Sequence, residues 1–214
     1  MPNGELRMTN EGRVLEAGSW KLEARSWKRE AGSVLLAIAA VVCAPGCLVL
    51  NVNPLYDGDT IGWDAALLGS WRDADDNVSL TIEADEWKSY RIHYVHPIET
   101  GDLTGYLTIV GDERYIDLMP LRGKDHGAFL IPVHAALRLR LDGDNLEVVP
   151  LSYDWFAERS RAVSVPGLSY AFDQKQNAVI MSTTAALRTW LRRQPAAGSM
   201  FGAAAVFTRV KAGG

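Results

Sequence analysis

Four histidines are the first residues in this chain that could move a proton or hold a metal. His93 and His96 stand three apart on a predicted strand. An odd separation puts two side chains on opposite faces of a strand, so they cannot share one metal unless a bulge intervenes. His126 lies in a polar loop, Gly123-Lys-Asp-His-Gly127, beside Asp125, which is placed to orient it. Such adjacency is common in loops. His134 follows Pro132 in an otherwise apolar run and carries two readings. It is either a hydrogen-bonded structural histidine or a ligand-facing group.

The other catalytic residue types are not arranged for catalysis. No serine sits in a Gly-x-Ser-x-Gly elbow. Asp57-x-Asp59 and Asp73-x-Asp75-Asp76 lack the remaining ligands of a calcium loop and read as solvated turns. Asp142-Gly-Asp144 lacks the later Glu and reads as a hairpin turn. The tyrosines Tyr90, Tyr94, Tyr106 and Tyr115 are expected to divide between core and cavity. No catalytic residue, metal site or cofactor is expected, and the chain is not read as an enzyme.

Cys47 carries the clearest chemical signal. Arg25, Lys28 and Arg29 precede an apolar run, Ser33 to Val42, and Ala44, Pro45 and Gly46 then lead into Cys47. Positive charge, a short apolar core and small residues make a secretory signal. Small residues followed by Cys form the pattern that lipoprotein signal peptidase reads, after which the thiol is acylated and becomes the new N-terminus. Ala44 stands where bacterial lipoboxes usually have Leu, and Pro45 is an unusual neighbour. Two alternatives stay open. Val34 to Leu50 is 17 residues, at the lower limit of a membrane span, and the same run could form a buried core helix. The expected organisation is a signal peptide with a long n-region over 1–46, lipidated Cys47 and a tether over 47–66, and a folded domain over 67–214.

Residues 47–214 number 168, enough for one domain with a real core. They hold 16 basic and 21 acidic residues, a formal charge of −5 with His neutral. No basic patch stands out, so nucleic acid is not an expected partner. Both cysteines, Cys43 and Cys47, lie in the signal region, which leaves the exported domain without a disulfide.

The patterning after the tether is that of an all-β domain. Leu67 to Arg72 is a first strand, and Asp73 to Asn77 a turn. Val78 to Ile82 and Tyr90 to Val95 alternate apolar and polar, the period-2 signature of a half-buried strand. Gly105 to Val110 and Tyr115 to Met119 form a hairpin, and Asp142 to Asn145 turns a second one. Ala128 to Leu141 reads as one long strand with a bend or edge at Pro132. Leu137, Leu139 and Leu141 face inward, because Arg138 and Arg140 cannot readily be buried unpaired. Strict alternation then sends His134 outward with the arginines, whereas a bulge at Pro132 would turn it inward.

Ser152 can cap a short helix carrying Trp155 and Phe156. Ser182 or Thr183 can cap a second, Thr184 to Arg193, with Leu187, Trp190 and Leu191 as its apolar stripe and Arg188, Arg192 and Arg193 suiting its C-terminal half. Ser169 to Phe172 and Ala178 to Met181 pair across Asp173 to Asn177, and Ala204 to Val210 closes the sheet.

Gly69-Ser70-Trp71 resembles the Gly-x-Trp motif on the first strand of lipocalins. In that family the Trp closes one end of the barrel and packs under an Arg from the last strand, a place that Arg209 would fill. The chain departs from the family in having helices between its late strands. Residues 47–214 also resemble a family of uncharacterised bacterial lipoproteins. The resemblance rests on the Cys, Asn53-Pro54-Leu55-Tyr56, Leu67-Leu68-Gly69-x-Trp71, Ile131-Pro132-Val133-His134 and Tyr153-Asp154-Trp155. It implies location and fold and brings no catalytic residue with it.

The expected fold is therefore mainly β: a lipocalin-like antiparallel barrel of about 8–10 strands with two short helices in the C-terminal half. Gly69, Trp71 and Arg209 are its barrel-closing residues, Cys47 its lipidation site and His134 its candidate ligand-facing residue. The expected protein is held to a membrane by its lipid on the periplasmic side of a bacterial envelope. The outer membrane is favoured if the cell is Gram-negative. It is a binding or structural module, with room for a small apolar ligand unless Trp71, Phe129 and Trp190 fill the interior. The alternative is an interaction or inhibitor protein in an envelope assembly.

Overall fold

The computed structural model describes residues 48–73, 77–98, 100–121, 131–162, 165–195 and 198–211. Cys43, Cys47, Asp75, Asp76, Asp125, His126 and Phe129 lie outside the described residues. The domain is mainly β. Its strands are β1 (Val49–Asn51), β2 (Ile61–Gly62), β3 (Gly69–Asp73), β4 (Val78–Ala84), β5 (Ser89–Val95), β6 (Thr100–Val110) and β7 (Glu113–Pro120). After β8 (Ala135–Asp142) and β9 (Asn145–Pro150) come helix α1 (Tyr153–Ala162), β10 (Tyr170–Phe172), β11 (Ala178–Ile180), helix α2 (Thr184–Arg192) and β12 (Ala205–Arg209).

Eight strands close into an antiparallel barrel. β3 to β9 pair in sequence order, and β12 pairs with both β9 and β3. Closure leaves no long unpaired edge, which is how up-and-down barrels avoid pairing with other chains. The long β6 extends past the end of β5, and β2 pairs with the overhang at Leu107 and Thr108.

Period-2 alternation places the side chains. Leu80, Ile82, Tyr90, Ile92, Tyr94, Leu137 and Leu139 are buried inside the barrel, with Leu141 packed against them. Arg138 and Arg140 fall on the outer face. The β8 strand starts at Ala135, so Pro132 precedes it, and no bulge reverses the register.

A second core lies against the outside of the wall. Val110, Tyr115 and Ala136 are apolar and point outward, where Leu151, Phe156, Leu187, Trp190 and Met200 cover them. The β10–β11 hairpin is not part of the barrel. It pairs instead with β1, which runs parallel to β11, in a separate three-stranded sheet. Trp190 thus packs outside the barrel and does not fill its interior. Residues 48–66 do run along the outer wall as expected of the tether, but as part of the fold. They form β1 and β2, and Asn51 and Leu55 are buried.

One end of the barrel is plugged. Trp71 is fully buried, and its Nε1–H donates to Leu67 O at 2.9 Å. The Arg209 guanidinium lies 4.0 Å over the indole. It donates to Leu68 O at 2.8 Å and Ala66 O at 2.5 Å, so it also seals the short 3-10 turn Ala65–Leu67. Asp144 lies 3.4 Å from its Nε. Gly69 has φ +127, and a Cβ there would stand 2.9 Å from Arg209 Nη1. Only glycine accepts that backbone and that approach.

Trp71→Ala is expected to lower unfolding free energy by about 3–5 kcal/mol, as for other large buried aromatics. Arg209→Ala is expected to cost less, because a cation over an indole is worth about 0.5–2 kcal/mol. Urea unfolding of both variants checks the order; a Trp71→Ala protein as stable as the parent would contradict the plug.

Candidate functional site

The barrel interior holds a cavity of about 40 Å³. Its wall includes Leu80, Ile92, Tyr94, Leu103, Leu118 and Leu137, and only apolar surface faces the space. The register sets Leu80 opposite Trp71 and Tyr94 opposite Leu80, so the cavity wall runs from beside Trp71 round to Leu103 and Leu118. Trp71, Leu67, Tyr90 and Phe207 fill the plugged end. Leu103 and Leu118 are only partly buried on one side of the cavity, and Leu146, paired with Phe207, lines it on another. Val95, Ile98, Leu121 and Ile131, in the loops and strand ends of the barrel mouth, are exposed.

His134 faces neither this cavity nor free solvent. It lies on the outer face, as strict alternation requires, and it is buried beneath β1. Asn51 and His134 exchange both backbone hydrogen bonds at 2.8 Å. Asp117, fully buried on β7, receives the His134 Nδ1–H at 2.6 Å through Oδ1. Its Oδ2 accepts the Leu55 N–H, also at 2.6 Å. The carboxylate thus fixes the imidazole tautomer and fastens the neighbouring chain. The ring of Tyr56 lies 6.3 Å from that of His134 and 4.3 Å from that of Tyr106.

Two motifs quoted from the sequence, Asn53-Pro54-Leu55-Tyr56 and Ile131-Pro132-Val133-His134, take part in these contacts. Asn53 Nδ2 donates to Ser182 O at 3.0 Å, and Thr184 Oγ1 donates to Pro54 O at 2.7 Å. Arg188 donates to Leu55 O at 2.9 Å, Thr108 Oγ1 at 3.0 Å and Ile109 O at 2.8 Å. Its side chain is buried. Burial lowers its pKa, an effect that nearby Asp57 opposes and Arg192 reinforces. Asn51 is buried as well, and among the described residues neither its amide N nor its O has a partner.

An Asp–His pair is two of the three members of a hydrolytic triad, the third being a nucleophile. Among the described residues no serine, threonine or cysteine is hydrogen-bonded to the imidazole. Nor do three or more His, Cys, Asp or Glu side chains gather to hold a metal among those residues. His93 instead pairs with exposed Asp102 at 2.9 Å, and His96 Nδ1 accepts the Ile98 N–H at 3.2 Å. Asp57 Oδ1 accepts the Asp59 N–H at 3.2 Å, which makes that pair a turn.

The structure brings Gly69, Trp71 and Arg209 together at one end and leaves His134 elsewhere, on the outer wall. Sequence reasoning missed Asp117, Asn51, Tyr56 and Arg188. Asp117 had a signal, being a lone acid between Ile116 and Leu118. Arg188 had one too, since it stands directly beside the Leu187–Leu191 stripe. No protein-family model, curated protein or solved structure matches the chain.

The tyrosines around this site should dominate alkaline behaviour. Burial, then Tyr106 and Asp117, raises Tyr56 from 10.0 to about 12. Burial raises Tyr115 likewise to about 12, with Arg138 opposing it. A phenol whose folded pKa is raised keeps its stabilisation below the unfolded pKa and loses it as pH rises through the folded one. Stability is therefore expected to hold up to about pH 10 and to fall between 10 and 12. Phenolate absorbance followed alongside circular dichroism checks this. The late-titrating groups should appear together with unfolding, and Tyr56→Phe should remove one of them. Titration of Tyr56 near 10 in the folded protein would contradict its placement.

Proposed function

We propose that this protein is a lipid-anchored module of a bacterial cell envelope whose barrel binds a small apolar ligand. The observation that carries the binding reading is the cavity. It is walled entirely by apolar surface, and exposed aliphatic side chains stand around the mouth of the barrel. Dry apolar cavities take up apolar guests. At about 40 Å³ it is far smaller than the several hundred Å³ of a drug-sized site. The ligand is thus a slim one, a small hydrocarbon or the end of an unbranched chain. With no polar group in the wall, selection inside is by width and length.

The anchoring half of the reading comes from Cys47 and the signal before it, and places the domain on the periplasmic side, at the outer membrane if the cell is Gram-negative. Among the described residues no helix is long and apolar enough to cross a membrane. A second reading, an interaction or inhibitor protein in an envelope assembly, is favoured by exposed Ile98 and Ile131 at the mouth and by Trp87, 87 % exposed at the β4–β5 turn. Catalysis, metal binding and nucleic-acid binding form no part of either reading.

Methyl NMR with a chain-length series of n-alkanols separates the two. Saturable shifts confined to Leu103, Leu118, Ile92 and Leu137 are expected, strengthening with chain length and then levelling off. Leu118→Phe, at the half-buried mouth, should abolish them while the barrel stays folded. Shifts scattered over the surface, or unchanged in Leu118→Phe, would leave the interaction reading.

A further inference from the structure

We propose that the edge of the small sheet where β1 begins is a membrane-contact face, pressed onto lipid headgroups. This rests on the reading that Cys47 is acylated. The decisive fact is how Leu48, the residue next to Cys47, is held. Leu48 N–H donates to Asn177 Oδ1 at 3.3 Å, and Leu48 O accepts the Ala178 N–H at 2.7 Å. Val49 is then in register with Ala178 on β11. Leu48 is therefore already held on both sides by the folded domain. Consecutive Cα atoms lie about 3.8 Å apart, so an anchor on Cys47 is joined to this edge through a single peptide bond. The anchor has no slack in which the domain could turn freely.

The edge itself suits a headgroup layer. Because β1 and β11 are parallel, the start of β1 lies beside the β10–β11 turn, Asp173 to Asn177. That turn is rigid. Asp173 Oδ1 accepts the N–H groups of Lys175 and Asn177, each at 2.8 Å, and its Oδ2 accepts Asn177 Nδ2 at 2.8 Å. These bonds hold the Asp173 carboxyl below its usual range, the Asn177 side chain contributing most. At the tip, Gln174, Lys175 and Gln176 are exposed, and the Lys175 charge lies within electrostatic reach of the Asp173 carboxylate. Leu48, Val49 and Leu50 are only half-buried, so apolar side chains flank the lipid attachment point.

The orientation has a definite opposite pole. In the eight-strand order, β4 lies across the barrel from β8, and β1 packs beside the start of β8. Glu83 on β4 is exposed and points away from the barrel interior. It should therefore stand far from the bilayer when the β10–β11 turn touches it.

The chain's cysteines are Cys43 and Cys47, so an introduced thiol in the mature acylated protein can be labelled alone. Lys175→Cys and Glu83→Cys, each carrying an environment-sensitive fluorophore, are reconstituted as lipidated protein. The vesicles contain phosphatidylethanolamine and phosphatidylglycerol with a nitroxide-headgroup lipid. Flotation of the vesicles is measured in parallel, with Cys47→Ala as the unanchored control. The expected result is flotation of both labelled proteins with several-fold stronger quenching at position 175 than at 83. Inserting a Gly/Ser spacer of about 12 residues before Leu48, which spans roughly 20 Å, should erase the difference without preventing flotation. Flotation with equal quenching at the two positions would overturn the face while leaving the anchor intact. Failure of the full protein to float would overturn the anchor reading and the face with it.

Discussion

The peptide of Leu55 is held from both sides by buried charge, and the outer half of the structure depends on that grip. Asp117 on β7 takes its N–H at 2.6 Å, and Arg188 on α2 gives to its carbonyl at 2.9 Å. The two side chains come from the barrel wall and from a helix that packs outside it. Leu55 itself is fully buried between them. A buried charge without partners is costly, and removing one partner of such a set strands the others. Here every bond serves two purposes. Asp117 also orients His134, and Arg188 also binds Thr108 and Ile109 on β6. The result is a strap, residues 51–56, that cannot lift without exposing both charges.

That grip explains why the barrel has an elaborate outer layer. An ordinary barrel strand alternates apolar inside and polar outside. Here Val110, Tyr115 and Ala136 break the alternation by being apolar on the outer face. They need cover, and the excursion between β9 and β12 supplies it with Phe156, Leu187, Trp190 and Leu191. The chain then returns through β12, which closes the barrel against β3 and brings Arg209 over Trp71. The inner core and the outer core are thus separate, one on each side of the wall. The cavity belongs to the inner one, and the buried polar cluster to the outer.

What could be read from the sequence was whatever alternates over a long enough run. The inward faces of β4, β5 and β8 follow directly from period 2, as do the capped helix at Thr183 and the final strand that closes the sheet. The same alternation correctly placed His134 on the outer face. What it could not supply was the partner lying over that face. β1 has three residues, too few for a pattern, and its partner β11 is 129 positions away and parallel to it. The strand signal of β10 and β11 was correct, but nothing local says which sheet a three-residue strand joins. The contacts of the segment over 48–66 were hidden for a related reason. Asn53-Pro54-Leu55-Tyr56 has no periodicity because it is held by side chains from three distant elements, not by a ladder. Asp117 and Arg188 looked ordinary because each is one charge in an otherwise regular element, and only the fold sets them around the same peptide.

A small apolar guest in the barrel is the claim on which the functional reading stands. Native mass spectrometry of the protein extracted gently from the envelope of its own cells tests it most directly. The parent protein should carry a discrete additional mass that extracts into organic solvent, and Leu118→Phe prepared in the same way should not. The same bare polypeptide mass, with its covalent lipid alone, in both parent and variant would contradict it.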